Sequence, residues 1–296
     1  MSKENTIKVL KLLLKISVSS VALFFVFRSV NIRDVFNLLK NSDYWLLFPT
    51  LLLYLVSKYI TAIRFKHFLK VININIPDAV NFRLYLLGMY YNLLLPGGVG
   101  GDGYKVYYLH KLFKSPLKNL LSLSIIDRVS GMVAILFLGE ICAVFLFYNH
   151  PVFFYLSLFS LPATLAVYWG ALYLFYKKYL TVFNKTNLQS LAGQILQVIC
   201  ILLLLMLVGV KQQYLPYVFI FLVSSIVAAF PFTIGGIGAR ELTFLYGAEH
   251  FNLDMSASVT VSMLFYLISA FSSLCGIYFG IFPEKVSAQE SSEVSP

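Results

Sequence analysis

The chain is 296 residues long, 59% apolar and only 12% charged, with a mean hydropathy of +0.80. Soluble domains are roughly 45–50% apolar and about 25% charged, so this chain lacks the polar surface to coat a water-soluble globule and reads as an integral membrane protein. Its 23 Lys and Arg against 13 Asp and Glu give a net charge of +10, but the cations sit at the edges of apolar runs, where they fix orientation and attract anionic lipid headgroups rather than nucleic acid.

A helical span needs about 20 predominantly apolar residues. Spans are predicted, in chain order, at 8–28, 44–63, 119–147, 151–176, 188–210 and 256–282. The first carries Lys3, Lys8, Lys11 and Lys15 and runs into Phe27-Arg28-Ser29-Val30 in place of a small-residue cleavage site; it reads as a retained anchor.

Two further apolar runs, 80–95 and 214–230, end abruptly in Pro- and Gly-rich sequence. With a cytoplasmic N-terminus, the segment 64–79 (Arg64, Lys66, Lys70) falls inside, and the lysines of 104–118 (Lys105, Lys111, Lys114, Lys118) belong there too. A complete span at 80–95 would separate the two. The expectation is therefore a re-entrant hairpin over 80–110, turning at Pro96-Gly97-Gly98. Lys177, Lys178 and Lys185 then lie inside, Lys211 outside, and a second hairpin around Pro231 enters from the outside. The C-terminal tail is left cytoplasmic. The plainer alternative is eight complete spans.

The two glycine-rich turns align without a gap at an offset of 135 residues. Pro96 through Lys105 and Pro231 through Arg240 share the pattern P-x-x-[VI]-G-G-x-G-x-[KR]. The following spans keep the same spacing, which chance similarity of two turns would not require. Each half then holds three crossings and a hairpin. Three is odd, so the second half is inverted in the membrane, an organisation that transporters use to build midplane sites from interrupted helices. The fold expected is an all-α polytopic membrane protein of about six spans and two re-entrant hairpins. A single domain covers 1–283, with repeats at about 1–148 and 149–283, and a disordered polar tail occupies 284–296.

Exposed backbone inside a membrane is tolerated only against protein or a water-filled cavity. Glycine allows a ligand close to the backbone, and free N–H groups at a helix start favour an anion. The candidate binding residues are Asn92, Gly100, Gly101, Asp102 and Lys105 at the first turn, and Gly235, Gly236, Arg240 and Glu241 at the second. Asp127 and Arg128, about three turns into the 119–147 span, join them. Each charge costs roughly 2.5–3.5 kcal/mol at a helix centre, which calls for a pair, a polar cavity or a headgroup. Lys105, Arg128 and Arg240 are the expected phosphate ligands, with Asp127 orienting Arg128 or binding a cationic headgroup and Glu241 the local partner of Arg240. The bland readings are glycines that only let helices pack and charges that sit at the interface. Tyr90 and Tyr91 are read as packing, and Glu140 as interfacial at the far end of its span.

Other chemistry finds little support. Cys142, Cys200 and Cys275 stand alone, as do the four histidines, so neither a disulfide framework nor a metal site is expected. No cofactor is expected either. Gly98-x-Gly100-x-x-Gly103 matches a dinucleotide fingerprint only in letters, for no βαβ unit surrounds it. An embedded enzyme acting on a lipid phosphate or glycosyl lipid would have to rely on Asp102 and Asp127.

The stretch Asn92-Leu93-Leu94-Leu95-Pro96-Gly97-Gly98-Val99-Gly100-Gly101-Asp102 resembles the N-x-x-x-P-G-G-x-G-G-D signature of the lysylphosphatidylglycerol synthase transmembrane-region family. Asp127-Arg128-Val129-Ser130-Gly131 looks like that family's D-R-x-x-G motif, and Pro231 through Glu241 is similar to its second, P-x-x-x-G-G-x-G-x-R-E. The resemblance covers nearly the whole chain. It implies a flippase-like membrane domain, which relatives carry fused to an aminoacyl-transferase or glycosyltransferase domain. The polar residues after the last predicted span are too few for either, so the expectation is a translocase and not a lipid synthase. One departure is Tyr104-Lys105, where members often have a small residue and Arg; lysine keeps the charge and loses the bidentate fork. Expected partners are a phosphate-bearing membrane lipid, either a phospholipid or a polyprenyl-phosphate-linked glycan, and a separate synthase or glycosyltransferase. A non-transporting partner of such a synthase is the remaining alternative. The expected location is the cell membrane.

Overall fold

The computed structural model describes residues 24, 32–40, 42–94, 100–230 and 236–281, and every regular element among them is helical. Helix α1 covers Ile32–Lys40, and a 3-10 turn at Tyr44–Leu46 leads into α2, Leu47–Val71. Then come α3 (Asp78–Leu94), α4 (Gly100–Phe113), α5 (Leu117–Leu146) and α6 (Pro151–Phe175). A 3-10 segment, Lys177–Val182, runs into α7 (Phe183–Leu207), followed by α8 (Tyr214–Ala229), α9 (Ala239–His250), α10 (Met255–Leu274) and the short α11 (Ile277–Ile281).

Five segments are long and apolar enough to cross a bilayer: Tyr44–Val71, Leu117–Leu146, Pro151–Phe175, Lys177–Leu207 and Met255–Phe279. They coincide with five of the six predicted spans. The first predicted span lies, Phe24 apart, outside the described residues, as does the tail from 284. The chain is an all-α polytopic membrane protein. Helix α6 illustrates why. Leu156, Phe159 and Val167 leave 65%, 69% and 71% of their surface uncovered, which water would penalise and lipid does not.

Helices α3, α4, α8 and α9 are too short to cross. At 1.5 Å per residue, the 17 residues of α3, 14 of α4, 16 of α8 and 12 of α9 reach about 18–26 Å, against a hydrocarbon core of roughly 30 Å. They pack in sequential pairs, α3 on α4 and α8 on α9.

The centre of the molecule is the long α2–α7 contact. Small residues let it close: a Cβ on Gly193 would come within 3.4 Å of Thr61 Oγ1, and Cys200 Sγ donates to the Thr50 carbonyl across 3.4 Å. Small side chains are what bring helices together where lipid supplies no hydrophobic drive. The other contacts fall into matching sets. Helix α4 meets α5 as α9 meets α10, α5 leans on α8 as α10 leans on α3, and α6 lies on α5 as α1 lies on α10. The apolar core divides accordingly. One cluster gathers Phe65, Phe68, Leu84, Leu87, Leu109 and Leu123, and the other Ile201, Leu204, Phe221, Phe244 and Phe265.

One sequence expectation fails here. The span predicted to end at 63 runs on, and residues 64–71 form the last two turns of α2. Phe65, Phe68 and Leu69 prolong its buried face at helical spacing, while Lys70 stays exposed and Lys66 reaches out to Asp78 at 2.7 Å. Arg64 is only 4% exposed. Its cationic context in the sequence is that of a loop, but the helix carries it inward.

Candidate functional site

Helices α3 and α4 cross with their backbones in contact. A Cβ at Gly101 would overlap the Gly88 carbonyl, and one at Gly88 would press on the Lys105 stem at 3.2 Å. The crossing brings Asn92, near the end of α3, to the start of α4. There its Oδ1 accepts the Gly101 N–H at 2.8 Å, one of the first-turn donors that a helix leaves without an internal partner. Asn92 therefore caps α4 and sets its angle.

With α4 so placed, Asp102 lies in its first turn, where the helix dipole favours a carboxylate. Its Oδ1 accepts from Lys105 Nζ at 2.9 Å, one turn further on. Its Oδ2 accepts from Arg128 Nη2 at 2.6 Å and from Arg128 Nε at 3.2 Å, across from α5. Lys105 is 4% exposed, and its ammonium lies over the rings of Phe65, at 4.5 Å, and Tyr85, at 5.2 Å.

Asp127 precedes Arg128 on α5 and so points about 100° away, toward α2. It pairs with Arg64, and this corrects the expected role of orienting Arg128. Arg64 Nε donates to Asp127 Oδ1 at 2.8 Å, Nη2 to the Asp127 carbonyl at 2.9 Å, and Nη1 to Ser190 Oγ on α7 at 2.8 Å. Ser130 and Ser190 share a further hydrogen bond at 2.8 Å. Removing one partner from such a buried pair costs about 3–5 kcal/mol. The pair thus ties α2, α5 and α7 together.

The five charges divide into two groups. Arg64 and Asp127 are a neutral pair committed to each other. Lys105 and Arg128 share one carboxylate, so among the described residues this triad carries one more cation than carboxylate. Both groups line a cavity of about 190 Å³ together with Tyr85, Gly88, Met89 and Asn92. A second cavity of about 180 Å³ adjoins it and shares Asp102 and Arg128, its other walls being Gly103, Val106, Leu121, Ser124 and Ile125. Excess positive charge held in a low-dielectric site favours an anion. Gly100 opens α4 beside the cavity.

The second glycine turn is built differently. Gly235 lies outside the described residues. Gly236 and Gly238 hold φ of +84° and +85°, which favour glycine. Glu241, 3% exposed, accepts from the Gly238 N–H at 2.7 Å and from Ser262 Oγ at 3.3 Å. It caps α9 with that bond, and Arg240 lies near enough to feel its charge. The Arg240 guanidinium lies over the Phe265 ring at 5.1 Å, in the other core cluster, and lines neither cavity. The structure thus joins Asn92, Asp102, Lys105, Asp127 and Arg128 in one cavity and leaves Arg240 and Glu241 apart. Sequence reasoning missed Arg64 as a site residue. The signal was the apolar periodicity running on through Phe65, Phe68 and Leu69. Among the described residues no group of three or more His, Cys, Asp or Glu could hold a metal ion.

The lysylphosphatidylglycerol synthase transmembrane-region family matches residues 12–192, a stretch that contains both ion groups. The match spans more than half of the chain, and the protein belongs to that family. No curated protein matches it.

Proposed function

We propose that this member of the lysylphosphatidylglycerol synthase transmembrane-region family is a flippase-like translocase that moves a phosphate-bearing lipid between leaflets of the cell membrane. The observation that carries the reading is the Lys105–Asp102–Arg128 triad, two cations sharing one carboxylate at the wall of a cavity. A phosphate would complement that positive charge through charge-assisted hydrogen bonds to the lysine and arginine. Arg64 and Asp127 form the rigid floor. Gly100 and Gly101 bring backbone close to the headgroup, and Asn92 fixes the helix that carries them.

Two features support an alternating-access arrangement. The short paired helices α3–α4 and α8–α9 fall below the length of a span, as re-entrant hairpins do. The exchange of contact partners between halves, α5 on α8 against α10 on α3, is what a two-fold related pair of repeats produces. In this reading the repeats meet along α2–α7 and are inverted, both termini are cytoplasmic, and Arg240 with Gly235, Gly236 and Glu241 forms the second hairpin's counterpart of the site. A separate synthase or glycosyltransferase would supply the lipid. The embedded-enzyme reading loses ground because Asp102 and Asp127 each hold cations, which leaves neither free as a general acid or base.

The test is reconstitution of the full chain in liposomes containing tail-labelled fluorescent phosphatidylglycerol, with dithionite bleaching to count outer-leaflet lipid. Exchange above protein-free liposomes is expected, falling to background in a Lys105→Ala, Arg128→Ala variant. Exchange that is undiminished in the variant refutes the site, and its absence from the unmodified chain refutes transport of this lipid.

A further inference from the structure

We infer that the cleft between α4 and α5 is a side door to the bilayer, holding the hydrocarbon tail of the lipid whose phosphate occupies the adjoining cavity. The inference rests on the proposed headgroup site and adds where the rest of the molecule lies. The cleft is the second of the two cavities, about 180 Å³. Apart from Asp102, Arg128 and Ser124, its walls are Gly103, Val106, Leu121 and Ile125. Leu121 and Ile125 stand 52% and 53% exposed one turn apart on α5, on a segment apolar enough to span the membrane, so that face meets lipid. The polar cavity next to it carries the excess charge. The Asp102–Arg128 bridge is common to both and forms the boundary between them.

That sequence of surfaces, lipid to apolar cleft to ion bridge to cationic cavity, is graded as an amphiphile is graded from tail to phosphate. A soluble anion would need no apolar cleft, and a neutral lipid would need no excess cation. Gly103 lines the cleft without filling it. A Cβ there meets none of the described residues within 4 Å, whereas Gly101 two residues earlier is jammed against α3. Packing against the described residues gives no reason for a glycine at 103. An open tail cleft does.

The test compares dioleoyl phosphatidylglycerol with water-soluble glycerol 3-phosphate, each titrated against the detergent-purified full chain, unmodified and as Gly103→Leu. Leucine at 103 projects into the cleft and displaces tail but not headgroup. The expected result is a loss of lipid affinity of roughly tenfold or more, about two methylenes of contact, with glycerol 3-phosphate affinity unchanged within about twofold. Ser124→Leu, filling the same cleft from α5, repeats the measurement should Gly103→Leu fail to fold. Lipid affinity that survives both substitutions overturns the side door while leaving the headgroup site intact. Equal loss of lipid and glycerol 3-phosphate in both variants overturns the separation of tail from headgroup. Binding of neither ligand by the unmodified chain overturns the headgroup site, and the side door with it.

Discussion

The two glycine-rich turns carry the same spelling and do different physical work. At the first, Gly101 permits a backbone crossing with Gly88, and the charges that follow, Asp102 and Lys105, face a cavity and meet Arg128. At the second, the glycines supply left-handed turns, and the charge that follows is spent locally: Glu241 caps its own helix and Arg240 lies on Phe265. The difference lies in the partners. Shifted by 135 residues, Asp102 becomes Ile237, Asp127 becomes Ser262 and Arg128 becomes Met263. The glycines alone do not decide what a turn does; the charges on neighbouring helices decide whether a charged cavity forms beside it.

The sharpest way to break the comparison is to give both turns a side chain. Gly101→Val drives its Cβ into the Gly88 carbonyl with no flexible atom to yield, and it is expected to abolish the folded monomer in size-exclusion chromatography. Gly236→Ala meets Ala228 Cβ at 3.0 Å and strains a φ of +84°; a loss of about 1–3 kcal/mol, read as a lowered Tm in detergent, is expected. Equal damage from the two would mean that the turns are equivalent after all.

Arg64→Ala comes next in size. It strands the Asp127 carboxylate at 7% exposure, so about 3–5 kcal/mol is expected, against about 0.5–2 kcal/mol for Arg240→Ala, which loses a ring contact. Both are read by thermal unfolding, and Arg64→Ala paired with Asp127→Ala should recover part of the loss. In the lipid-exchange measurement, Arg128→Ala is expected to slow transfer by about 10–100-fold, the worth of a charged hydrogen bond of roughly 1.5–3 kcal/mol. Arg240→Ala should slow it less; the reverse order would move the headgroup site to the second turn. The smallest effect is at Glu241. Glu241→Gln keeps an oxygen for the Gly238 N–H and should be nearly silent in Tm. Glu241→Ala should cost about 1 kcal/mol, and a large transport defect in the glutamine variant would make it a functional charge and not a cap.

Arg64 marks the limit of what one-dimensional reading can do. Arg64, Lys66 and Lys70 look like the cationic edge of a span, and for Lys66 and Lys70 that reading holds. Arg64 differs only because Asp127, 63 residues away, and Ser190, 126 residues away, are waiting inside. Asp127 and Arg128 stand out as costly intramembrane charges in the sequence itself, yet their adjacency suggests a mutual pair, and the helical turn between them sends each to a different partner. Asn92 is legible as part of a motif. Its action as a cap required knowing that α3 and α4 cross at Gly88 and Gly101.

The sequence by itself determined the class of the protein, the position of five of its predicted spans and the two short helices, α3 and α8, that end at Pro- and Gly-rich sequence. Transfer of apolar side chains into lipid is additive along the chain, so hydropathy reports it directly, and Pro and Gly announce where helices stop. Only the tertiary structure decided which charges pair, which turn opens on a cavity and where the excess positive charge resides. Coulomb energy in a low-dielectric interior depends on distances of a few ångströms between helices far apart in sequence, and no local pattern of residues encodes those distances.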